Sequence, residues 1–305
     1  MGISSLLLKQ IVIMFILMSI GFVLYKIKYV TDEGQKDFAK VLLYLVLPVV
    51  IIKNFMIEKT AENIETLIYA TIISFICMAV SILISYIFFG KRDGVANFSS
   101  SFSNAGFIGI PLVEATLGFK AVFYISMMIV MVNLLQWTYG IFVITDDTSV
   151  IKPKKLLTNP VIIAVTIGLL CFLLELKVPS IVTTVFNSIS GLNTPLAMML
   201  SGIYLAQSDL VAMLKKKNIY LVSLIRLVVI PLVTVLVFKL LPFGSLDLKL
   251  AILIAAACPV GSNVAIFANM YGKDYVSAVE EVCMTTILCL VTLPLVIYFA
   301  TMLIG

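Results

Sequence analysis

Six uncharged polar side chains stand at positions of this sequence that are otherwise surrounded by apolar residues: Asn104, Asn133, Gln136, Asn193, Ser262 and Asn263. Amides and hydroxyls donate hydrogen bonds without carrying a charge, so a cluster of them can hold an anion and still release it. Asn133 and Gln136, in "MVNLLQW", are three residues apart and share one face of a helix, either looking into a cavity or tying two helices together. Asn193 precedes Pro195 in "GLNTPLAMMLSG", where it either caps a helix or meets a ligand.

Four charged residues within apolar runs are informative because burying charge in hydrocarbon is expensive. Arg226 falls about 12 Å into its run at 1.5 Å per helical residue, and Glu280 and Glu281 fall at a matching depth in another. An ion pair between them would serve as a tie or an inner gate. Glu114 either reaches water or Lys120, or takes a coupling proton. Catalysis finds little support. The chain has no histidine to act as base, relay or metal ligand, and its five cysteines, Cys77, Cys171, Cys258, Cys283 and Cys289, lie in apolar runs without metal-ligand spacing. No residue is expected to be catalytic, and no metal or cofactor is expected.

The elements that must position these residues follow from composition. Of 305 residues, 62% are hydrophobic and 12% charged, against about a quarter charged in soluble domains. Mean hydropathy is +1.16. The solvent is therefore a bilayer. Apolar runs divide the chain into ten expected spans, roughly 3–25, 38–57, 65–89, 95–118, 120–144, 159–176, 181–207, 218–241, 247–271 and 275–304. The first run is too long for a signal-peptide core and should remain as a helix. All of this reads as one membrane domain, all-α and polytopic, within 1–305.

The polar stretch "TDDTSVIKPKKLLTNP" separates five spans from five, giving a first repeat of about 1–144, a loop of about 145–158 and a second repeat of about 159–305. The halves echo each other. Pro48 interrupts the second span and Pro195 the seventh, while "SFSNAGFIGIP" in the fourth, with Gly109 and Pro111, answers "ACPVGSN" in the ninth, with Pro259 and Gly261. An odd number of spans per half inverts the second repeat in the membrane, and paired interruptions at corresponding positions point to the binding site of a secondary transporter. Tight helix packing is the plainer use of such glycines and prolines. A helix broken at mid-membrane presents backbone N–H groups that attract an anion. Asn104, Gly261, Ser262 and Asn263 would surround a carboxylate there, with Asn133, Gln136 and Asn193 as further ligands.

Basic residues set the expected orientation. Thirteen lie on one face (Lys26, Lys28, Lys36, Lys40, Lys91, Arg92, Lys152, Lys154, Lys155, Lys215, Lys216, Lys217, Lys273) and seven on the other (Lys9, Lys53, Lys59, Lys120, Lys177, Lys239, Lys249). The first face should be cytoplasmic, with both termini outside, and the net charge of +5 is then an orientation signal and not a nucleic-acid patch.

The stretches "SNAGFIGIPLVEATLG", "CPVGSNVAIFANMYG", "RLVVIPL" and "TLPL", in this order, resemble the auxin efflux carrier family of plant PIN proteins and bacterial malate-permease-like transporters. The resemblance covers nearly the whole chain. It implies two inverted five-helix repeats whose interrupted fourth and ninth spans cross, an elevator-like cycle, and an anionic substrate at the crossover. Asn104, Pro111, Pro259 and Gly261 match the family pattern, whereas Val264 stands where plant members carry a second proline. The short central loop, about fifteen residues, rules out plant-type phosphoregulation. The expected protein exports or exchanges a small carboxylate such as indole-3-acetate or malate across a bacterial cell membrane. Its partners are that carboxylate, the lipid bilayer and, as an assembly left open, a second copy in a homodimer. A channel or a non-transporting receptor on the same fold is the alternative, and an intramembrane enzyme lacks any recognisable activating base.

Overall fold

The computed structural model describes residues 3–150, 157–176, 178–209 and 213–304, with side chains described from residue 6 onward. Helices occupy each of the ten apolar runs: α1 (Ile3–Lys26), α2 (32–54), α3 (Ala61–Phe89), α4 (Gly94–Ser101), α5 (Ala105–Leu117), α6 (Phe119–Thr145), α7 (Pro160–Leu173), α8 (Ser180–Gln207), α9 (Lys217–Leu240), α10 (Leu246–Ala256), α11 (Asn263–Met270) and α12 (Tyr275–Ile304). Six are long and apolar enough to cross a bilayer: α3, α6, α8, α9, α12 and, over Leu6–Lys26, α1. The protein is an all-helical polytopic membrane protein. Residues 151–156 of the central loop, including Lys152, Lys154 and Lys155, and also Lys177 lie outside the described residues.

Local chemistry sets many of the helix starts. The hydroxyls of Thr31, Thr60 and Ser245, the carboxylate of Asp93 and the amide of Asn159 each accept a backbone N–H in the first turn of the helix that follows. Within the spans, three prolines act in a way their residue type alone does not announce. Pro48, Pro111 and Pro231 each lie two residues beyond a widened π turn, over Leu42–Val46, Ala105–Gly109 and Ile225–Val229. The proline ring would clash with the carbonyl four residues back, which is the central residue of each π turn, and widening the turn relieves the clash. Leu47, Ile110 and Ile230 accordingly donate to the carbonyl five residues back. Pro48 and Pro111 therefore bulge their helices without breaking them. Pro195 follows a turn at Gly191–Leu192 inside α8.

The helices pack in two groups. In one, α1 lies against the second half of α8 and α7 against α2; in the other, α3 to α6 pack with α9 to α12. Gly21 and Gly202 let α1 and α8 meet backbone to backbone, since a Cβ at Gly202 would run into the Met18 carbonyl and one at Gly21 into the Met199 carbonyl. The opposite side of α1 carries exposed Leu8, Val12, Ile16, Ile20 and Val23, a face suited to lipid. Four of the five cysteines are buried as packing residues, and Cys171 is half-buried.

Candidate anion-binding site

The break in the first half of the chain lies at Phe102–Asn104, between α4 and α5, one to two turns ahead of Gly109 and Pro111. The break in the second half lies between α10 and α11 and contains Pro259 and Gly261. The two breaks lie side by side. Asn104 N–H donates to the Pro259 carbonyl at 2.9 Å, Gly261 N–H donates to the Phe102 carbonyl at 3.0 Å, and Ser103 pairs with Val260 in an antiparallel bridge. Extended backbone that hydrocarbon could not satisfy is thus satisfied by the other half of the chain. Glycine at 261 eases the approach, because a Cβ there would lie only 3.2 Å from the Ser103 carbonyl oxygen. Thr285, on α12, closes the arrangement by accepting the Val260 N–H at 3.1 Å.

Each break feeds the N-terminus of a helix. Asn104 caps α5, its Oδ1 accepting Phe107 N–H at 3.3 Å, while its Nδ2 reaches Ser262 Oγ at 3.4 Å. At the starts of these helices, the N–H groups of Ala105, Gly106, Ser262 and Asn263 have no acceptor among the described residues. Two positive helix ends therefore converge on one small cavity of 30 Å³. Asn104, Asn133, Gln136, Gly261, Ser262 and Asn263 all line it. Asn263 Nδ2 donates to Gln136 Oε1 at 2.8 Å, and Asn133 Nδ2 folds back onto the Ile129 carbonyl at 2.9 Å. Trp137 is absent from the lining and packs edge-on against Phe267, with ring centres 4.9 Å apart.

The small cavity shares Leu43, Phe107, Ser262 and Asn263 with a vestibule of 790 Å³. Asp32, Lys36, Lys40 and Gln207 stand at the vestibule wall. Hydrogen bonds from the Tyr25 hydroxyl at 2.7 Å and the Gln207 amide at 2.8 Å hold the Asp32 carboxyl below the usual aspartate range, so it is ionised at neutral pH.

Several expected roles change. Asn193 does not join the other amides; at the turn of Gly191–Leu192 in α8, it lines a separate cavity with Lys53, Asn54 and Glu114. Gly109 packs at ordinary distance against Ala255 and is not a break point, and the Gly261 N–H is already taken by Phe102. Arg226 makes no ion pair with Glu280 or Glu281. It is 1% exposed, and its guanidinium donates to the carbonyls of Ser100 at 2.8 Å and Ser101 at 3.3 Å and to that of Ala256. These carbonyls end α4 and α10, so two negative helix ends supply what a carboxylate would have supplied. Glu280 instead pairs with Lys216 at 2.5 Å, and Glu281 is buried with Oε2 unpartnered. Glu114 is exposed and forms no ion pair with Lys120 among the described residues.

A search of curated proteins finds no match to the chain. The sequence profile of the family described as membrane transport protein matches residues 6–154 and 147–297. With its motifs in the auxin-efflux-carrier order and helices broken in both halves, the chain belongs to this family of membrane transporters.

Proposed function

We propose that this transporter exports or exchanges a small organic anion whose carboxylate binds where the two helix breaks meet. The observation that carries the reading is the convergence of two helix N-termini and the amides of Asn104, Gln136 and Asn263 on one cavity. Neutral donors and helix ends attract a carboxylate without the tight grip of a buried lysine, which suits a site that must release its ligand. The cavity opens onto the Lys36 face and shares no lining residue with the cavities on the Lys59 face, as alternating access requires. In this reading the chain crosses the membrane ten times as two inverted five-span repeats, with α4–α5 and α10–α11 as the interrupted spans. The group α3–α6 and α9–α12 slides against the group α1, α2, α7 and α8 in an elevator-like cycle. The Lys36 face is cytoplasmic, and both termini lie outside the cell membrane.

The test pairs binding with flux. Thermal stabilisation of purified protein by indole-3-acetate and malate identifies a ligand, and saturable counterflow of that ligand in liposomes distinguishes a carrier from a channel or receptor. Asn104→Ala and Asn263→Ala should both weaken binding while leaving the protein folded. Unchanged affinity in both variants removes the site.

A further inference from the structure

A second polar cavity, of 220 Å³, lies toward the other end of the helices that line the crossing. The order is the same on α2 and α5. Along α2, residues 32–44 line the large vestibule, Leu43 and Leu47 the crossing, and Val50, Lys53 and Asn54 the second cavity. Along α5, Gly106 and Phe107 line the crossing and Ile110 and Glu114 the second cavity. At intermediate positions along α2, α6 and α8, Ile51, Ile125 and Ala197 are buried and apolar. On its far side, the second cavity shares Lys53, Phe119 and Asn187 with a further vestibule of 700 Å³. Four spaces are thus arranged in sequence along the helices, with one apolar seal.

The second cavity is built from unsatisfied polar groups. Asn193 is 3% exposed, and neither its Nδ2 nor its Oδ1 has a partner; Asn54 is 2% exposed, and its Nδ2 has none. Such buried polar atoms destabilise the fold unless something binds them. Beside them, Lys53 Nζ uses one donor on Ser190 Oγ at 3.1 Å and rests 4.8 Å from the Phe119 ring centre, which leaves two N–H donors. A packed apolar core has no use for this combination. The two amide donors, Asn54 Nδ2 and Asn193 Nδ2, and an ammonium suit a carboxylate, and the nearby exposed Glu114 balances Lys53 and disfavours a second negative charge on the ligand.

We infer that Lys53, Asn54 and Asn193 form a second binding site, a station for a monocarboxylate on the Lys59 side of the seal. Its place on the transport path rests on the proposed function; its ligand chemistry does not. In a Cys171→Ser background, a cysteine at Thr194 (Thr194→Cys), or at the exposed Asn187 (Asn187→Cys) should the first misfold, reports on the cavity. Sulfonatoethyl methanethiosulfonate, which does not cross membranes, should label it, and 10 mM benzoate should slow labelling at least threefold. Lys53→Gln or Asn193→Ala should abolish that protection, and the double variant Asn104→Ala/Asn263→Ala should retain it. Failure of binding at the crossing with protection intact sinks the proposed function alone. A reporter that is not labelled, that benzoate does not protect, or that loses protection only in the Asn104→Ala/Asn263→Ala variant overturns the second site.

Discussion

Asn263 and Gln136, from opposite halves of the chain, are joined by a side-chain hydrogen bond of 2.8 Å across the cavity where the helix breaks meet. One Asn263 N–H and the Gln136 side-chain oxygen are therefore engaged before a ligand arrives, and a carboxylate that takes this donor exchanges the bond for a charge-assisted one.

That exchange has a measurable consequence. A hydrogen bond to a charged group contributes about 1.5–3 kcal/mol, so Asn263→Ala should raise Kd roughly tenfold or more, less whatever the lost Gln136 bond returns. Gln136→Ala removes the competitor and leaves the Asn263 donor free, so it should weaken binding less than Asn263→Ala does. Titration calorimetry with the best carboxylate ligand checks the order, and the reverse order contradicts the assignment of Asn263 as the donor.

Arg226 ties together the C-terminal ends of α4 and α10, which lead into the two breaks. Arg226→Met leaves these carbonyls unsatisfied in an apolar interior and should cost on the order of 2–5 kcal/mol. Arg226→Lys keeps the charge but cannot fork to both helix ends, so its loss should be intermediate. Thermal unfolding in detergent should rank wild type above Arg226→Lys and that above Arg226→Met; equal midpoints for the extremes would show that the tie is idle.

The α1–α8 contact depends on absent side chains. At Gly202 the obstructing atom is the Met18 carbonyl, which cannot swing aside as a flexible side chain can. Gly202→Ala should therefore cost at least the roughly 1–3 kcal/mol of an overpacked core. Gly191→Ala, whose nearest contacts lie at 3.4 and 3.5 Å, is the matched control and should retain normal yield. The yield of monodisperse protein by size-exclusion chromatography reads both.

The Lys216–Glu280 pair is uneven, with the lysine side chain 42% exposed and the glutamate side chain 3% exposed. Lys216→Met strands a buried carboxylate and should destabilise the fold by about 1–3 kcal/mol, below the full cost of breaking a buried pair because water reaches the lysine. Adding Glu280→Gln removes the stranded charge and should recover part of the loss. Purely additive losses in the double variant would mean that the two groups do not interact.

Much of the architecture was legible from Ile3 to Ile304 because hydrocarbon imposes a simple rule: long apolar runs become helices, and polar or proline-rich interruptions mark their ends or weak points. The same rule made Asn104 and Asn263 conspicuous, since an amide in such a run needs a partner or a purpose.

What the tertiary structure decided were the pairings between residues far apart in the chain. Nothing in the spacing of Arg226 distinguishes a glutamate partner from the carbonyls of Ser100 and Ala256, because carbonyls belong to every residue and only the approach of two helix ends concentrates them. Asn193 and Asn104 are the same residue type in similar surroundings, yet they line cavities on opposite sides of an apolar seal. Composition and periodicity determine which residues leave water and which helices form. Which polar groups then meet depends on how those helices cross, and hydrogen bonds act only over the last few ångströms of that packing.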